Sequence, residues 1–152
     1  MSLVRILMVD DFDLWKGFVI ARLNERPDLQ IVGFASDGLQ AVQKAEELQP
    51  DVILLDMVLP GLNGIEAARQ IRKVAPKAKI LFVSAETDQE SVRNSFRVGG
   101  SGYVSKMDAA AGLLAGIEAV LRGDWFVSPG LVDFDYVTDI WDLDPKDEGT
   151  AT

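Results

Sequence analysis

The sequence predicts an α/β protein: a doubly wound parallel sheet of five strands, with an extra helical extension at the carboxyl end. Three observations lead there. Short apolar runs recur at a regular period with amphipathic stretches between them, which separates the pattern from a bundle or a sandwich. Caps and breakers punctuate the same period, and chemistry-bearing polar residues stand directly after the apolar runs. At 152 residues one domain is expected. A chain of that size buries roughly 68–70% of its unfolded surface and needs no disulfide or structural metal.

Leu3 to Val9 reads as a buried strand, and Phe12 to Asn24 as a helix that carries Leu14, Phe18, Val19 and Ala21 and closes at Arg26-Pro27. Leu29 to Ala35 alternates more weakly and is placed toward a sheet edge. Asp37 caps a helix through Leu48, and Gln49-Pro50 ends it before Val52-Ile53-Leu54-Leu55, a strand buried on both faces and therefore central. A turn over Leu59 to Gly64 precedes a helix over Ile65 to Val74. After Pro76 comes an apolar strand from Ala78 to Val83.

Thr87 or Asp88 caps a helix to about Val98, Gly99-Gly100 breaks it, and Gly102-Tyr103-Val104 is a short strand. Asp108 is expected to cap the helix from Ala109 to Arg122. Within it, Gly112 and Gly116 share a face, as close helix packing requires. Beyond residue 128 the pattern changes. Ser128-Pro129 has the form of a cap followed by proline at the first helical position, and Leu131, Phe134, Val137 and Trp141 follow at helical intervals to Asp144-Pro145. This divides the chain into a domain over 1–128 and an acidic extension over 129–152, a helix over 129–143 followed by a disordered tail. Trp125 and Trp141 lie beyond the last βα unit, where an exposed aromatic would favour a partner surface.

Composition narrows the function. Fifteen Lys and Arg stand against 24 Asp and Glu, a net charge of −9. Residues 131–152 hold seven acids and one base, a charge of −6, which leaves −3 for everything before them. Neither portion offers the basic stripe that binding to a phosphate backbone requires, so direct nucleic-acid binding is not expected. There is no Cys and no His. That removes thiolate and imidazole metal sites, cysteine nucleophiles and Ser-His-Asp hydrolysis. No apolar run approaches the roughly 20 residues that cross a bilayer, and the expected location is the cytoplasm.

In an open α/β sheet ligands bind beyond the carboxyl ends of the strands. Asp10 and Asp11 follow the first strand, Asp56 the third, Ser84 the fourth, and Ser105 and Lys106 the fifth, so all share one edge. Taken singly, each has an ordinary explanation: an aspartate pair can cap a helix, and a lysine is usually solvated. Their joint placement carries the argument. Three clustered carboxylates repel one another and call for a cation, and Mg²⁺ suits hard oxygen donors while keeping positions open for phosphate oxygens. An anion shared by Mg²⁺, Lys106 and the Ser84 hydroxyl is most economically a phosphoryl group, with Asp56 as its acceptor.

On these residues, and on Asp56-Met57-Val58-Leu59-Pro60-Gly61-Leu62-Asn63-Gly64, the chain over about 3–128 resembles a receiver domain of a two-component response regulator. The resemblance implies a CheY-like, flavodoxin-like sheet of strand order 2-1-3-4-5. It implies a histidine kinase as phosphodonor to Asp56, and Mg²⁺ held by Asp11, Asp56 and the Val58 backbone carbonyl, with Asp10 acting through water. Ser84 and Lys106 hold the phosphate, and Ser84 and Tyr103 act as switch residues that reshape the face of the fourth helix, fifth strand and fifth helix. Val58 and Glu86 fall where the family tunes phosphate lifetime. A second copy of the chain is a candidate partner; a membrane is not.

Two departures stand out. Met107 follows Lys106 where the family commonly has proline, which leaves the lysine geometry open. Gly123 to Pro129 resembles the linker that leads to a LuxR-type helix-turn-helix output domain, so a longer native chain with roughly 60 further residues is one expectation. Two other functions compete with the signalling reading. An Asp-nucleophile, Mg²⁺-dependent phosphatase acting on small molecules usually has a second Asp two residues after the nucleophile, where this chain has Val58. A pseudo-receiver that works without phosphorylation has no need of the complete acidic set.

Overall fold

A computed structural model describes residues 3–131. Six parallel strands form one sheet in the order β2-β1-β3-β4-β5-β6. They are β1 (Val4–Val9), β2 (Leu29–Ala35), β3 (Val52–Leu55), β4 (Lys79–Ser84), β5 (Gly102–Ser105) and β6 (Phe126–Val127). Between them run α1 (Asp13–Leu23), α2 (Gly38–Leu48), α3 (Gly64–Val74), α4 (Gln89–Arg97) and α5 (Ala109–Leu121). The five expected strands stand in the expected order, with β2 at an edge and all four residues of β3 buried. The sixth strand, two residues long, pairs with β5 and lies in the stretch read from sequence as a linker.

Alternation along each strand builds two cores, because successive side chains point to opposite faces. Leu7, Val9, Ile53, Leu55, Ile80, Phe82 and Tyr103 pack with α2, α3 and α4. Ile6, Met8, Val52, Leu54, Leu81, Val83 and Val104 pack with α1 and α5. The strands in the middle of the sheet are apolar on both faces for that reason.

The helix starts follow their caps. Asp37 accepts from the Gln40 N–H at 2.8 Å, Asn63 from Glu66 at 2.9 Å, and Asp88 from Ser91 at 3.0 Å. Asp88, not Thr87, is therefore the cap of α4. Asp108 corrects the sequence reading. It stands at the N-cap position of α5 but makes no side-chain cap hydrogen bond there; its Oδ2 accepts instead from the Gly130 N–H at 3.0 Å and from the Ser128 hydroxyl at 3.2 Å. The same Ser128 oxygen accepts from the Ser105 N–H at 3.0 Å. The chain after β6 is thus tied to the end of β5.

Gly116 lies where a Cβ would come within 3.2 Å of Leu81, Val104 and Phe126, so this glycine serves close packing on the sheet, whereas a Cβ at Gly112 would meet only ordinary contacts at 3.5 Å. Trp125 is also corrected: it is half-buried and stacks on Phe96 with ring centroids 5.0 Å apart. Pro129–Leu131 forms a 3₁₀ turn. The rest of the expected 129–143 helix, Trp141 and the tail lie outside the described residues. Among the described residues no helix is long and apolar enough to cross a membrane.

Candidate functional site

The parallel pairing delivers each expected residue to one edge. The Asp10 N–H donates to Ala35 O and the Asp56 N–H to Val9 O, which carries the strand ladder up to both carboxylates. Ser84 and Ser105 are register partners at the ends of β4 and β5, so Lys106 begins one residue past the sheet. The loop after β3 folds back onto Asp56 at Gly64, where a Cβ would stand 2.2 Å from the Asp56 carbonyl oxygen. Only glycine fits there.

Asp10 is buried and Asp11 exposed, while Asp56 is 7% exposed. One carboxylate oxygen from each lies within 4.8 Å of the others. Lys106 Nζ is 2.7 Å from Asp10 Oδ2 and 3.3 Å from Asp56 Oδ2. The second Asp10 oxygen accepts from the Phe12 N–H at 2.9 Å, so the residue orders the turn into α1 as well as pairing with Lys106, although it does not cap the helix. Burial pushes the Asp56 carboxyl above the usual carboxylate range; the Lys106 ammonium opposes that shift and Asp10 reinforces it. The cluster is short of positive charge, and its donors are hard oxygens partly open to solvent, which suits a divalent cation such as Mg²⁺.

Beside this cluster Ser84 is fully buried, and its Oγ accepts from the Glu86 N–H at 3.2 Å. Tyr103 is fully buried as well. Its hydroxyl donates to the Glu86 carbonyl at 2.6 Å and lies 3.8 Å from Met57 Sδ. Burial raises the Tyr103 phenol far above its ordinary value, so it acts only as a hydroxyl. Val58 is exposed at the mouth, its N–H 3.4 Å from Asp56 Oδ1. Every residue named from sequence is therefore at this edge.

The open question about Lys106 is answered by its contacts. The peptide bond to Met107 is trans, and the side chain still reaches both buried aspartates. Sequence reasoning passed over two contributors. Trp15 presents its ring 5.1 Å from Lys106 Nζ; its place in the first turn after the aspartate pair was visible, its direction was not. The Glu86 carbonyl holds the Tyr103 hydroxyl, and no backbone acceptor announces itself by residue type.

A doubly wound parallel sheet in this strand order is a CheY-like, flavodoxin-like fold, and here it carries an acidic pocket and a lysine at its carboxyl edge. The model of the response regulator receiver domain matches residues 6–118, and the chain belongs to that family. It is 35% identical over 122 residues to the transcriptional regulatory protein LiaR of Bacillus subtilis (strain 168), covering 80% of this chain and 58% of that protein. It is 33% identical to the response regulator GacA of Pseudomonas viridiflava, covering 84% of this chain and 59% of that protein. The chain thus spans less than two thirds of the length of these curated relatives.

Among solved structures, a LuxR-family two-component response regulator from Aurantimonas sp. SI85-9A1 superposes with a TM-score of 0.85 at 32% identity, covering 91% of this chain and 99% of that one. The response regulator domain of Thermotoga maritima CheB gives 0.75 at 34% identity, covering 80% and 98%.

Proposed function

We propose that this chain is the phosphoacceptor module of a two-component relay, in which Asp56 takes a phosphoryl group from a partner histidine kinase. The observation that carries this reading is the convergence of Asp10, Asp11, Asp56 and Lys106 at one sheet edge. A carboxylate oxygen of Asp56 forms the new O–P bond as the P–N bond to the donor imidazole breaks, and the electron pair leaves on that nitrogen. The chain's own lack of His is consistent with a donor in another protein.

Lys106 is placed to exchange its contact with Asp56 for one with a phosphoryl oxygen, and the Ser84 hydroxyl to donate to a second. Asp11, Asp56 and the Val58 carbonyl would hold Mg²⁺, with Asp10 acting through water. When bound, the metal supplies neutralisation of the charge on the phosphoryl oxygens. Ser84 accepts from the Glu86 N–H and the Glu86 carbonyl accepts from Tyr103, so a reorientation of Ser84 toward the phosphoryl group is passed to Tyr103 through one residue. That linkage supports Ser84 and Tyr103 as the switch and the α4–β5–α5 face as its readout.

Residues 1–128 are assigned to the receiver and 129–152 to an acidic extension. The working location is the cytoplasm, a second copy is a candidate partner, and any DNA binding belongs to an output domain of a longer protein.

Intact mass after incubation with acetyl phosphate tests the chemistry. A phosphoryl adduct that requires Mg²⁺ and is absent in Asp56→Ala is expected. A folded protein that gains no adduct would move the pseudo-receiver reading to the front.

A further inference from the structure

Lys106 has to keep its ammonium at the phosphoryl position, and its segment fixes the backbone more than the head group: Ser105 Oγ accepts from the Met107 N–H at 3.3 Å, and Asp108 is tied to Ser128 and Gly130. Lys106 opens a 3₁₀ turn over Lys106–Asp108 whose next side chain, Met107, is 88% exposed. The Lys106 side chain is only 17% exposed, and because its alkyl stem is flexible the head group is placed by what surrounds its tip. Two of those neighbours are the carboxylates of Asp10 and Asp56, at 2.7 and 3.3 Å. The third is the face of Trp15, at 5.1 Å.

The three neighbours are not equivalent. Asp56 must give up its share of the ammonium when it becomes an acyl phosphate, and Asp10 competes with any incoming anion for the same N–H donors. An aromatic ring attracts the cation through its quadrupole and consumes no hydrogen-bond donor. Trp15 is also well held: it stacks on Phe18 with centroids 5.0 Å apart and 26° between planes, and both rings rest on the α1–α5 core.

We propose that Trp15 is a positioning residue for Lys106, keeping the ammonium at the mouth of the site while the hydrogen-bonding partners change. The proposal rests on Asp56 as phosphoacceptor, and it gives the first turn of α1 a part in the reaction beyond packing. It also accounts for a lysine that reaches its partners with Met107 behind it.

The test compares Trp15→Phe, which keeps an aromatic face, with Trp15→Leu, which keeps apolar bulk alone. Phosphorylation by acetyl phosphate is followed by intact mass. Trp15→Phe is expected within about twofold of the parent and Trp15→Leu about threefold to tenfold slower. In a Lys106→Ala background the Leu substitution should make no further difference. A second readout needs neither metal nor phosphate. With ¹³C at the lysine ε-carbon, and the resonance assigned through Lys106→Arg, the Lys106 ε-protons should be shifted upfield by the ring in the parent and in Trp15→Phe, and not in Trp15→Leu.

Equal rates for Leu and Phe, the same slowing by Leu without Lys106, or no ring shift in the parent protein would each overturn the proposal. If Trp15→Leu does not fold, the parent and Trp15→Phe spectra still decide it. A parent protein that takes no phosphoryl group would sink the phosphoacceptor reading instead, and the ring shift would still report whether Trp15 holds Lys106.

Discussion

Asp56 is a carboxylate whose burial works against its own charge. Its proton is held more tightly in the folded chain than in the unfolded one, with burial as the main cause and Asp10 as a lesser one. A carboxyl raised above its usual 3.8 contributes stability that is fully present below that value and is lost as pH rises through the raised native one. Asp56→Asn removes the ionisation. The variant is therefore expected to match the parent near pH 3, to gain on it through that window, and to melt higher at pH 7; Mg²⁺ should narrow the gap by favouring the charged cluster. Thermal melts across pH check it, and an Asn variant that melts below the parent at pH 7 would contradict the balance of charge. Asp10, Asp56 and Lys106 were legible in the sequence because each directly follows a strand, where the sheet alone dictates position. Trp15 was not, since the direction of a ring at a helix start depends on how that helix settles on its neighbours.

The elements divide the same way. β1, β3 and β4 are continuous apolar runs and could be read directly, whereas β6 has two residues and no period to detect. Its backbone pairing with β5 is reinforced by side-chain chemistry that spans some 20 residues. The fully buried Ser128 accepts from the Ser105 N–H and donates to Asp108, which also receives the Gly130 N–H. Local rules assigned Asp108 to the helix that follows it, as propensity favours; the tertiary partner won because it satisfies a buried donor. Ser128→Ala leaves the Ser105 N–H without its acceptor, at a cost of about 1–3 kcal/mol. A melting temperature lowered by roughly 3–10 °C is expected for a chain of this size. Hydrogen exchange should show lost protection concentrated in β5 and β6. A uniform loss across the sheet, or none, would mean that the Ser128 link does not hold this edge. Because Ser105 is the residue before Lys106, the same variant should also slow phosphorylation.

At the scale of the whole molecule the sequence conveyed the net charge and the five βα units, and the strand order came with the family resemblance. One way the acidic extension can bear on the site is through its charge. Residues 132–152 carry −6 of the total −9, and the site they share a molecule with gathers three carboxylates against one lysine. Net charge of one sign raises the local concentration of counter-ions, divalent cations most of all, over the distance that salt permits. That distance is about 30 Å at 0.01 M ionic strength and about 3 Å at 1 M. Removing residues 132–152 keeps the buried Leu131 and leaves a receiver of charge −3. Its apparent affinity for Mg²⁺, read from the metal dependence of phosphorylation by acetyl phosphate, is expected to fall about twofold to fivefold at 0.01 M ionic strength and to converge with the full chain at 1 M. A difference that persists at 1 M would reveal a direct contact between the extension and the site. No difference at either salt would mean that solvent screens the extension completely, and that its acidity serves another purpose than concentrating the metal.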